Sequence, residues 1–243
     1  MDNLDAIAER IRQDFEARNA ARDEALRRSR QLIRYCANTI RATHRAEFGK
    51  AKQLLATAQQ AASELVECVN NYPDLYYAGY TQDALKELAE ASITYALITD
   101  GPLPDPDDLG IEYPAYLNGL GEAVGELRRH VLDIIRRGQI ERGEEILSAM
   151  DDIYAVLVTM DFPDAITGGL RRTTDMVRGV LERTRGDLTM AIRQDKLQEA
   201  LRAFEEKVNS NAQQTALLTT DASPSVGESC RDGQKDQPSH SSQ

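Results

Sequence analysis

Apolar residues recur at three- and four-residue spacing along nearly the whole chain, and runs of alternating β-branched residues are scarce. That periodicity restricts the fold to α-helices packed through one apolar stripe each. Residues 2–20 read as a first helix, and a helical stretch follows to about Asn70 with a break near Gly49. The segment Asn71–Tyr80 holds a proline, a glycine and four tyrosines and reads as a bent connector. A helix is expected from about Thr81 to Thr99, capped by Thr81 or Asp83, and DGPLPDPDDLG at 100–110 is a loop. Further helices are expected at 113–137, at 142–160, from Gly168-Gly169 to about Arg193, and on to Val208. The chain is therefore expected to be all-α, a single bundle of about seven helices over residues 1–208. Residues 209–243 are rich in Ser, Thr, Gln, Asp and Gly. They are expected to form a disordered tail, because they cannot bury enough apolar surface to offset chain entropy.

The chain has no apolar run near the roughly 20 residues needed to cross a bilayer, and MDNLDAIAERIRQ lacks the pattern of a signal peptide. A cytoplasmic protein with no membrane partner is expected. Cys36, Cys68 and Cys230 are odd in number and far apart, so they suggest neither a disulfide framework nor a zinc site. There is no Walker phosphate loop, no G-x-S-x-G and no H-E-x-x-H.

The net charge of −11 argues against a nucleic-acid partner until its distribution is read. Arg18–Lys52 carries ten Lys or Arg against three acids, whereas Asn71–Glu126 carries eleven Asp or Glu against Lys86 alone. On a helical wheel at about 100° per residue, Arg27, Arg30, Arg34, Arg41 and Arg45 fall within roughly 60° of one another. They lie beside an apolar stripe of Leu26, Ile33, Cys36, Ile40 and His44, where His44 reads as a core or interface histidine. A row of guanidiniums can meet successive phosphates, although such a face can equally be solvated or paired with neighbouring acids.

Within the acidic stretch, Glu87 and Glu90 are three apart and share a helix face with Asp83 and Thr94. Glu122 and Glu126 are four apart on the next long helix, opposite its apolar stripe of Tyr113, Leu117, Leu120, Val124, Leu127, Val131 and Ile134. Four carboxylates converging from two antiparallel helices would suit a hard cation, Mg²⁺ or Mn²⁺, that activates water against a phosphodiester. By spacing alone, glutamates opposite an apolar stripe are more usually solvent-facing helix formers. A di-iron bundle would need Glu-x-x-His, and after Glu126 the third residue is Arg129, with His130 one position late.

These residues resemble the translin/TRAX family over roughly residues 20–207. RRSRQLIRYCANTIRATHR resembles the family's first long helix, with Ser29-Arg30 and a terminal His44-Arg45. YPDLYY looks like its tyrosine-rich connector, and YLNGLGEAVGEL like its Tyr-Leu-x-Gly helix. ELAEA and Gly125-Glu126 resemble the catalytic TRAX-like branch rather than the non-catalytic translin subunits. Glu122 stands where that branch has Asp, and AGYTQD lacks the translin basic, histidine-containing cluster. The resemblance implies a metal-dependent endoribonuclease acting on single-stranded or partly paired RNA. Glu87, Glu90, Glu122 and Glu126 would bind Mg²⁺ or Mn²⁺ and orient the attacking water, with Glu90 or Glu126 alternatively the general base, and the five arginines would bind RNA or single-stranded DNA. It also implies a hollow oligomeric shell, in family members an octamer, with a homo-oligomer the simpler arrangement here. The alternatives are a non-catalytic RNA- or single-stranded-DNA-binding oligomer and a helical scaffold.

Overall fold

The structure, a computed structural model, describes residues 3–220 and side chains through Gln213. It is all-α: no strand occurs among the described residues. Six long helices, α1 (Leu4–His44), α2 (Phe48–Val69), α4 (Gly79–Ile98), α6 (Tyr113–Ile135), α7 (Ile140–Thr159) and α9 (Leu170–Thr220), are joined through three single turns. The single turns are α3 (Pro73–Tyr76), α5 (Pro106–Leu109) and α8 (Asp164–Thr167). Proline sits in the first turn of α3, α5 and α6, where its missing N–H loses no intrahelical bond. Among the described residues no helix is long and apolar enough to cross a membrane.

The chain divides into a first unit ending at Arg193 and a second beginning at Gln194. The described part of the second is the distal length of α9, whose Leu197, Leu201, Phe204 and Val208 are exposed. Helix α9 runs to Thr220, past the expected end at Val208, because 209–220 is polar but contains Ala, Gln and Leu, which propagate a helix. The rest of the expected tail, with Cys230, lies outside the described residues.

Other boundaries moved for local reasons. Helix α1 does not break near residue 20. The expected break at Gly49 occurs instead at Arg45–Glu47, where Ala46 takes φ 58°. Helix α4 begins two residues before Thr81. The Thr81 hydroxyl donates to the Leu75 carbonyl at 2.8 Å instead of capping the helix, and Asp83 lies a turn inside. Gly168 and Gly169 form the expected turn, with φ of 62° and 84°.

In the first unit, α4 packs against both α1 and α6, and α6 also packs against α7 and α8. The core joins Leu32 and Cys36 of α1, Leu65 of α2, Leu85 and Leu88 of α4, Val124 and Leu127 of α6, and Met150 of α7. The α4–α6 crossing is close because residue 119 is glycine. A Cβ there would sit 2.7 Å from the Lys86 carbonyl oxygen and 2.7 Å from the Ala89 Cβ, neither of which can swing aside. G119A is expected to cost about 1–3 kcal/mol by overpacking. A thermal melt should show that loss, together with weaker divalent-cation binding, since the same crossing sets the spacing of the glutamates.

Candidate metal centre and basic helix face

Glu87 and Glu90 project from one face of α4, and Glu122 and Glu126 from the α6 face turned toward it. All four are half-buried, not solvent-facing. The reading of α6 as a one-sided amphipathic helix fails because α4, seated on Gly119, covers its second side. One carboxylate oxygen each from Glu87, Glu90 and Glu122 lie within 4.8 Å of one another. Glu126 stands outside that set. Its Oε2 is 2.5 Å from Nε2 of His44, the last residue of α1, and Arg129 approaches it at 3.7 Å.

Burial and neighbouring like charge both favour the protonated form of a carboxyl. Burial, then repulsion from Glu87, Glu122 and Glu126, pushes Glu90 up to about 8. Burial, then Glu122, raises Glu87 as well. The hydrogen bond from His44 has the opposite effect on Glu126, outweighs its burial, and holds it below the usual carboxylate range. Glu122 accepts a hydrogen bond from the Lys86 ammonium at 2.8 Å, and Asp83 lies 3.8 Å from the same nitrogen. Burial works against the Lys86 charge, but Glu122 and its neighbours outweigh it and raise the Lys86 pKa. Burial also raises the Cys36 thiol, with Glu87 and Glu90 adding to the effect. A cleft of about 880 Å³ opens beside Lys86 and Glu122, bordered by Tyr77, Arg172 and Met176.

Three mutually repelling oxygens from two helices form a donor set that a hard divalent cation would relieve, so these residues fit Mg²⁺ or Mn²⁺. Sequence reasoning located the glutamates but not their neighbours. His44 is buried as expected, yet its bond to Glu126 spans 82 positions that no local pattern links. Lys86 was visible only as the single base of an acidic stretch.

All five arginines of the expected stripe are exposed, four on α1 and Arg45 just beyond its last residue. Arg27 is already engaged, with Nε and Nη2 donating to Glu24 at 2.8 and 2.5 Å. Arg41 donates to Asn38 at 3.0 Å. Arg30, Arg34 and Arg45 have no ion pair among the described residues. Arg27, Arg30 and Arg34 line a shallow concavity of about 360 Å³, in which Gln31 donates to the Tyr35 hydroxyl at 3.0 Å.

No protein-family model matches the chain. An uncharacterised protein of Methanocaldococcus jannaschii is 31% identical over 189 residues, which span 76% of this chain and 82% of that protein. Crystal structures of AfC3PO, alone and in complex with duplex RNA, are 32% identical to it with a TM-score of 0.72. They cover 77% of this chain and 97% of theirs. Apo-NeC3PO shares the fold with a TM-score of 0.68 at 22% identity, over 79% of this chain and 98% of that one. Fold and site thus define an all-helical protein of the C3PO type with a carboxylate cluster between two packed helices. The chain belongs to the translin-like family.

Proposed function

We propose that this protein is a metal-dependent endoribonuclease of the TRAX-like branch, acting on single-stranded or partly paired RNA as a homo-oligomeric shell, with the octamer of family members as its expected form. The observation that carries this reading is the convergence of Glu87, Glu90 and Glu122 oxygens within 4.8 Å of one another. The likeness to AfC3PO, which has been solved with duplex RNA, supports RNA as the ligand.

Glu87, Glu90 and Glu122 would hold Mg²⁺ or Mn²⁺. When bound, such an ion would lower the pKa of a coordinated water and offset charge on the phosphate oxygens. Glu126, kept ionised at neutral pH by His44, orients the attacking water and accepts its proton as the new P–O bond forms. The leaving oxygen takes a proton from solvent. Lys86 holds Glu122 in place from the cleft side. Arg30, Arg34 and Arg45, with Arg41 and Arg27 beside them, would meet the phosphate backbone.

Cleavage of a labelled single-stranded RNA by the purified full-length protein, with Mg²⁺, with Mn²⁺ and with EDTA, tests the reading. Cutting within the strand that EDTA stops is the expected result. Salt-sensitive binding with no cutting under any condition would replace it with a non-catalytic binding oligomer.

A further inference from the structure

Glu126 differs from the other three glutamates in being tied to a third helix. Its partner, His44, closes α1, and the imidazole side chain is only 4% exposed. An ionised carboxylate accepts and does not donate, so Nε2 of His44 carries the hydrogen in the 2.5 Å contact. Nδ1 is buried with no hydrogen-bond partner among the described residues, so nothing on the other side of the ring competes for its orientation. His130, its ring centroid 6.3 Å away, packs beside it rather than bonding to it. Arg129, a cation near Glu126, is exposed and longer-range at 3.7 Å. Glu87 and Glu90 have no side-chain hydrogen bond among the described residues, and Glu122 is held by Lys86 within the α4–α6 pair. One partly buried hydrogen bond therefore sets where the Glu126 carboxylate points.

We infer that His44 is a positioning residue: its Nε2–H clamps Glu126 at the edge of the Glu87–Glu90–Glu122 cluster, facing the attacking water and outside the metal-ligand set. The inference rests on the nuclease reading above. Residues that orient a reacting group by a buried hydrogen bond typically change rate or metal affinity by about 10–100-fold when lost. Because His44 acts through Glu126 and not through a ligand, the loss should fall on the rate.

The test compares wild type, H44F, H44Q, E126Q and H44F/E126Q as full-length proteins. Two quantities are read: kcat and KM on labelled RNA, and Mn²⁺ affinity of the metal-free protein by calorimetry. H44F is expected to lower kcat by about 10–100-fold, with KM and Mn²⁺ affinity changed less than about threefold. H44Q, whose amide nitrogen reaches the Nε2 position, should recover most of the rate. H44F should cost nothing further once Glu126 is Gln. A wild-type rate in H44F, or an H44Q as slow as H44F, would overturn the inference, as would a loss that falls on Mn²⁺ affinity instead. If H44F does not fold, H44N takes its place, since the shorter amide cannot reach Glu126; equal rates in H44N and H44Q would then overturn it. A wild-type protein that neither binds Mn²⁺ nor cuts RNA would instead remove the nuclease reading, and the inference with it.

Discussion

Replacing Glu90 with glutamine is expected to abolish metal-dependent cleavage, by about 10³-fold or more, while making the metal-free protein more stable above pH 8. The two effects have one cause. Burial of Glu90, followed by repulsion from Glu87, Glu122 and Glu126, pushes it up to about 8. An unfolded glutamate titrates near 4.5, so between pH 4.5 and 8 the folded state holds a proton that the unfolded state has released. Stability of the metal-free protein therefore falls as pH rises through that window, and the full penalty is present above pH 8. After screening, its size is on the order of 3 kcal/mol. E90Q removes the titrating group and flattens the slope, which thermal melts from pH 5 to 9 would reveal. A divalent cation does the same for the wild type by neutralising the cluster. Its affinity should rise with pH up to about 8, because it must displace the Glu90 proton. The price of the site is thus a locally destabilised α4–α6 pair that only its ligand relieves.

The second large effect is expected at the basic face. R30A/R34A should weaken RNA binding about tenfold near 0.1 M salt and reduce the slope of log K against log[salt] by roughly 2, one for each phosphate contact removed. R27A should do much less, because Glu24 already occupies its guanidinium through two hydrogen bonds. At saturating RNA the cleavage rate of R30A/R34A should match wild type, since neither residue touches the carboxylate cluster. Fluorescence anisotropy across a salt series, beside KM and kcat from the cleavage assay, separates the two contributions. Equal losses in R27A and R30A/R34A would show that the stripe acts through overall charge and not through its free guanidiniums.

Much of the fold was legible because apolar residues recur at helical spacing along most of the chain, and the carboxylates were legible because i,i+3 and i,i+4 spacing places side chains on one face. Their burial was not. Sequence spacing sets Glu122 and Glu126 opposite Leu120, Val124 and Leu127, which suggests water on the far side. What covers that side is a second helix admitted by a single missing Cβ at Gly119. The family resemblance of YLNGLGEAVGEL carried the site further than periodicity did. The α1–α2 corner was misplaced because glycine is the stronger breaker signal. Gly49 lies inside α2, while Ala46 takes the left-handed conformation that glycine would ordinarily supply. Polarity alone misjudged residues 209–220, whose helix formers continue α9. The His44–Glu126 bond was invisible for a simpler reason: its two residues stand 82 positions apart on different helices and meet only once the chain is folded.

The most direct test of the central claim is anomalous diffraction from crystals of the full-length protein soaked in Mn²⁺. The account requires one peak within metal–oxygen bonding distance of Glu87, Glu90 and Glu122, with Glu126 next to it, bonded to His44 rather than to the ion. Saturating Mn²⁺ with no peak between α4 and α6, or with its peak held elsewhere, would contradict it.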